Sequence, residues 1–91
     1  MRKPVVILDN WMVVPDVSSP SFAELHQGNR LMGNVYGHTH LPNAKVVYTS
    51  PIMSVDLDQG LVETFNTIYR LGEANDEYKT WDSRRKGTVA A

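Results

Sequence analysis

No cysteine occurs among the 91 residues, which excludes a disulfide framework and any thiolate metal site. Long apolar runs are also missing. The N-terminal run Val5-Val6-Ile7-Leu8 holds four residues, too few for the core of a secretory signal and far from the roughly 18 of a membrane span. The cytoplasm is the expected compartment and no membrane association is expected. Neither sign of charge dominates: nine Lys and Arg against ten Asp and Glu leave a net charge of −1, so bulk attraction to nucleic acid is not implied. The six glycines stand singly, so there is no glycine-rich phosphate loop. The serines lie in no Gly-x-Ser-x-Gly context.

What is present suits one small domain. Hydrophobic residues make up 42% of the chain, including Trp11, Trp81 and four tyrosines. A domain of this size buries only about 60–65% of its unfolded surface. The expected core is therefore thin, stability is of the order of a few kcal/mol, and homo-oligomerisation would help to support it. Residues 1–87 read as one β-rich domain and 88–91 as a frayed tail.

The chain alternates strand-like runs with turn chemistry. Residues 4–14 read as one strand, bulged near Asp9-Asn10, and 15–21 as a loop by composition. Ser21 and Glu24 match a capping box, which predicts a short helical turn over 22–27 ended by Gly28-Asn29. Alternation over 30–40 turns Leu31 and Val35 inward, and Leu41-Pro42-Asn43-Ala44 supplies a turn. Strands follow over 45–50 and 52–57, with a hairpin turn at Asp58-Gln59-Gly60, then over 61–65 and 68–71. Gly72 ends the β pattern. A last helix is capped by Asn75 or Asp76, carries Asp76 and Glu77 at its positive end and Arg84-Arg85-Lys86 at its negative end, and stops at Gly87. Tyr78 and Trp81 share one face and dock it. The expected fold is mainly β: a small antiparallel meander closing into a partly open, SH3-like or half-barrel sheet, with one C-terminal helix.

Charge is uneven despite the near-zero total. Asp56, Asp58, Glu63, Glu73, Asp76, Glu77 and Asp82 stand against only Arg70 and Lys79 before Arg84-Arg85-Lys86 begins. Read as a surface, the acids and the adjoining Arg84 and Arg85 offer an interaction face to a protein partner. Asp56 and Asp58, two apart, could also pair for acid–base work. Arg70, Arg84, Arg85 and Lys86 with Tyr69, Tyr78 and Trp81 would make a single-strand nucleic-acid surface, against which the neighbouring acids argue.

His38 and His40 are the remaining candidates. Two apart on a strand, both imidazoles would face one divalent metal, zinc or manganese, although two ligands leave the shell incomplete. The segment Gly37-His38-Thr39-His40-Leu41-Pro42 resembles the closing motif of calcineurin-like metallophosphoesterases, which implies His38 and His40 as ligands of a two-metal hydrolytic centre. The likeness ends there: Asp9-Asn10-Trp11 lacks that family's histidine, no Gly-Asp occurs, and Gly33-Asn34 is followed by Val35.

A broader pattern runs over residues 30–82: Gly33-x-Val35-x-Gly37-His38, Thr49-Ser50-x-Ile52, Val62-x-Thr64, Tyr69-x-Leu71-Gly72 and Tyr78-x-x-Trp81. It resembles a group of small uncharacterised proteins of bacterial and phage genomes. The resemblance implies a phage or prophage setting and carries no activity. The leading expectation is a non-catalytic interaction module that binds a host or defence protein through its acidic stretch and an exposed sheet edge. A metal-binding domain or metal-dependent hydrolase on His38 and His40, and a single-strand nucleic-acid binder, are the alternatives.

Overall fold

The computed structural model describes residues 3–16 and 21–87. Six strands and one helix follow in order: β1 (Val5–Val14), β2 (Arg30–Tyr36), β3 (Lys45–Tyr48), β4 (Ile52–Asp56), β5 (Leu61–Thr64), β6 (Ile68–Leu71) and α1 (Asp76–Gly87). The expected mainly β domain with one C-terminal helix is what forms. The tail expected at 88–91 and most of the loop expected over 15–21 lie outside the described residues.

Strand order is β3-β2-β1-β6-β5-β4 in a single sheet. It consists of two antiparallel three-stranded meanders, β1-β2-β3 and β4-β5-β6, joined through a parallel pair of β1 with β6. The sheet is thus mixed, where alternation alone predicts one antiparallel meander. Val5 aligns with Ile68 and Leu8 with Leu71, and both partners bury one side chain in two, so the inward–outward period is satisfied in either strand direction.

The two edge strands, β3 and β4, are consecutive in sequence. A flat six-stranded sheet would hold them about 24 Å apart, at about 4.8 Å per strand. Four Cα steps from Tyr48 to Ile52 reach at most about 15 Å, so the sheet has to curl. At the end where they meet, Gly28 N–H donates to Ile52 O (2.9 Å) and Ile52 N–H to Asn29 O (2.7 Å). The sheet is a curved half-barrel and is not closed.

The inner face carries the core: Val6, Leu8, Val13, Leu31, Val35, Ile52, Val62 and Tyr69, joined by Tyr78 from α1. Two buried threonines are matched to backbone groups. Leu31 N–H donates to Thr49 Oγ1 (3.0 Å), and Thr64 Oγ1 donates to Thr67 O (3.0 Å), as burial requires.

The bulge expected near Asp9-Asn10 is present. The β1–β2 register shifts between Asp9 and Met12, and Asn10 takes a φ of 52°. The turn of helix expected over 22–27 does not form, because tertiary partners outbid the capping box. Ala23 N–H donates to Val13 O (2.8 Å) instead of entering a helix, while Phe22 packs edge-on to Tyr78 with ring centroids 5.5 Å apart. α1 starts as expected: Asn75 Oδ1 accepts the N–H groups of Glu77 (2.9 Å) and Tyr78 (3.1 Å), the N-cap arrangement.

Candidate interaction surfaces

β2 ends at Tyr36, so His38 and His40 sit in the following turn and not on a strand face. Gly37 takes a φ of 79° and its N–H is held by Asn43 Oδ1 (3.0 Å). His38 Nδ1 accepts the backbone N–H groups of His40 (2.9 Å) and Leu41 (3.2 Å). The ring therefore carries its proton on Nε2 and organises the turn. The two imidazole centroids stand 6.1 Å apart. No group of three or more His, Cys, Asp or Glu side chains suited to a metal ion forms among the described residues.

The acidic residues scatter along the chain path. Asp56 ends β4, its Oδ1 accepting Gln59 N–H (3.2 Å), and Asp58 lies beyond in the exposed turn. Glu63 on β5 binds Lys3 Nζ (2.6 Å); this contact, by hydrogen bond and charge, holds its carboxyl below the usual range. Glu73 binds Lys79 (2.6 Å), and the same contact raises the Lys79 ammonium. Asp76 and Glu77 are exposed on the first turn of α1. The acids thus divide between local ion pairs, a hairpin turn and a helix start.

Of the basic residues, Arg84 is exposed. Arg85 donates to Glu24 Oε1 (3.0 Å), pairs with Asp82 and lies over the Trp81 ring at 5.1 Å. Arg70 is exposed on the outer face of β6, opposite Ile7 and Leu61. Tyr69 and Tyr78 are buried, so the aromatic platform that a nucleic-acid surface needs does not assemble with them.

The two sheet edges differ. β4 is blunted by a register shift between Ile52 and Ser54 and by Pro51 just before it, both ways of discouraging further pairing. β3 has an unbroken register against β2. Thr49 N–H donates to Leu31 O (2.9 Å). By alternation Val47 then faces β2, while the N–H and C=O groups of Val46 and Tyr48 point to the open side. Their side chains are 60% and 46% exposed. Tyr48 is steadied by Arg30 5.4 Å from its ring centroid and by its hydroxyl donating to Pro15 O (3.2 Å). Sequence reading anticipates an exposed edge without assigning these residues. The signal was the uncharged Val46-Val47-Tyr48 run between a turn and a proline.

No family model, no curated protein and no solved structure matches the chain.

Proposed function

We propose that this chain is a non-catalytic protein-interaction module that receives an extended segment of another protein along the open edge of β3. The observation that carries this reading is the outward row of backbone groups at Val46 and Tyr48 on a regular strand, flanked by their exposed side chains. Strand addition uses such groups for affinity and alternate side chains for specificity. The bulged, proline-flanked β4 edge offers no equivalent. In the phage or prophage setting implied by the sequence resemblance, the partner is a host or defence protein and the compartment the cytoplasm. No helix among the described residues is long and apolar enough to cross a membrane.

The test is a Val46→Pro variant. Its ring removes an outward N–H and no β2 ladder bond, a position where an edge strand tolerates proline. The expected result is that wild-type protein retains a stoichiometric partner from its native host and folded Val46→Pro protein does not. Equal capture by both, or no stoichiometric partner for wild type, overturns the reading.

A further inference from the structure

With no cysteine in the chain, the thioethers of methionine are the sulfur nucleophiles it presents to an oxidant. Of the four methionines, Met1 lies outside the described residues. Met12 and Met32 are partly buried, whereas Met53 is 47% exposed. A bulge puts it there. Two steps of β4, from Ile52 to Ser54, match one step of β5, from Thr64 to Glu63, so Met53 is the extra residue. Ile52 is buried in the core, and Ser54 Oγ donates to Glu63 Oε1 (3.4 Å) on the outside. Met53 itself packs against no part of the core.

Lys3 Nζ stands beside this bulge and meets three acceptors: Glu63 Oε2 at 2.6 Å, Thr64 O at 2.8 Å and Met53 Sδ at 3.8 Å. An ammonium has three N–H groups, so the third finds only a thioether, a weak acceptor. The separation suits a better one. A single oxygen bonded to the sulfur, with a hydrogen bond of about 2.8 Å bent at that oxygen, spans such a gap without moving the chain. Because the donor is charged, that bond belongs to the stronger class.

We propose that Met53 is a modification site for peroxides, at which the sulfoxide oxygen takes over the third N–H of Lys3. The sulfur lone pair attacks one oxygen of hydrogen peroxide. The S–O bond forms as the O–O bond breaks, and the proton of the attacked oxygen passes to the departing hydroxide. Sulfur gives up two electrons, and the peroxide is reduced to water. A sulfoxide ordinarily unsettles packing, because it makes an apolar side chain polar. Here no core contact is lost and a polar partner stands in place, so the modification tightens Lys3, and with it the start of β1, onto β4 and β5. Methionine sulfoxide is enzymatically reducible, so the change is reversible. The site shares no residue with the β3 edge and is independent of strand addition there.

The experiment treats the whole folded chain with hydrogen peroxide and locates sulfoxides by peptide mass spectrometry. Met53 should react at least about threefold faster than Met12 or Met32, since oxidation follows exposure. Protein stopped once Met53 has reacted is then melted beside Met53→Leu protein given the same treatment, which cancels any reaction at Met1. The Met53 sulfoxide should raise the thermal midpoint by about 1–3 °C, the size of an exposed charged contact in a domain this small. Lys3→Ala should remove the rise. Met53→Gln, whose amide oxygen has a similar reach, should melt above Met53→Leu with no oxidant present, and it decides the matter should Lys3→Ala not fold. Met12 or Met32 reacting as fast as Met53 overturns the site. A midpoint that does not rise, a rise that survives in Lys3→Ala, or Met53→Gln melting no higher than Met53→Leu overturns the contact.

Discussion

Asp9 Oδ1 accepts the backbone N–H of Glu73 at 2.8 Å and stands 2.7 Å from where a Cβ on Gly72 would sit. The β1 bulge is thus wedged between β6 and β2, because on the other side a Cβ on Gly33 would lie 2.7 Å from Asp9 O and 3.1 Å from Trp11 Cα. The two glycines make room in different ways. An alanine at 72 meets a side chain that can rotate away at the cost of its bond to Glu73. An alanine at 33 meets backbone. Gly72→Ala should therefore cost about 1–2 kcal/mol and Gly33→Ala about 3 kcal/mol or more. Urea midpoints at unchanged slope check the order, and a Gly33→Ala midpoint at the wild-type value would remove the argument.

That wedge also marks the limit of legibility in the sequence. The bulge at Asp9-Asn10, the alternation of β2, the hairpin turn at 58–60 and the Asn75 cap are local effects. A few neighbouring residues decide each of them, so each can be read directly. The parallel pairing of β1 with β6 is not local: the aligned residues Val5 and Ile68 are 63 positions apart, and both strands satisfy the same period in either direction. The 22–27 segment fails for a related reason. Its capping signature is real, but Phe22, Ala23 and Gly28 find better partners in Tyr78, Val13 and Ile52. The ring cluster beside α1 has no local signature at all, since Trp11 and Phe22 meet Tyr78 only through the fold.

The direction of the β3 hydrogen bonds makes a paired prediction. Val46→Pro removes an N–H that faces outward, whereas Val47→Pro removes one that faces Gly33 and leaves a β2 carbonyl without its donor. Val47→Pro should lose at least about 1–3 kcal/mol. Val46→Pro should unfold within about 0.5 kcal/mol of wild type. Similar losses for both in thermal unfolding would show that the alternation along β3 has been assigned in the wrong phase.

Asn75 has two duties that substitution can separate. Its Oδ1 caps α1, and its Nδ2 donates to Asn10 Oδ1 (3.2 Å) at the bulge. Asn75→Ala should cost about 1 kcal/mol or somewhat more. Asn75→Asp keeps the cap and gains from the helix dipole but loses the amide donor, so it should fall between alanine and wild type. Helical circular dichroism with chemical denaturation gives the ranking. An alanine variant as stable as the wild type would show that the cap contributes nothing to the fold.

The histidines should behave unequally. His38 Nδ1 serves two backbone donors, and His40 is exposed. His38→Ala should cost about 1 kcal/mol, His40→Ala less than about 0.5 kcal/mol, and His38→Asn should recover much of the loss because its Oδ1 can accept from the same turn. Zinc or manganese titration addresses the metal reading. Ligation by the pair requires both alanine substitutions to lower affinity by comparable factors, and at His38 it requires either Nε2 to give up its proton or Nδ1 its two backbone contacts. If stability is unequal as described and neither variant changes metal affinity, the pair's role is to shape the turn.

Two ionisable groups should make stability depend on pH from opposite sides. The Glu63 carboxyl is held below its ordinary value of 4.5, first by its hydrogen bond to Lys3 and then by that ammonium's charge. A carboxyl depressed in the fold stabilises fully above its unfolded pKa, and that contribution fades as the pH falls through the folded value. The acid limb of the stability profile should therefore flatten in Glu63→Gln. The Tyr78 phenol is held up to about 12, chiefly by burial, against an ordinary value of 10.0. A group raised in the fold stabilises fully below its unfolded pKa, so this contribution is present below pH 10 and is lost as the pH climbs towards 12. Lys79, raised by Glu73, and Tyr69, raised by burial, act with the same sign. Tyr78→Phe isolates the first of these, since it keeps the ring packing and removes only the hydroxyl. It should lower stability at neutral pH by about 1 kcal/mol, for the lost bond to Ala23 O. It should also flatten the decline between pH 10 and 12. Tyrosinate absorbance recorded with circular dichroism checks it: ionisation of one tyrosine should coincide with unfolding in the wild type and be missing from the variant. An unchanged alkaline limb in Tyr78→Phe would assign the high-pH limit to Lys79 and Tyr69 instead.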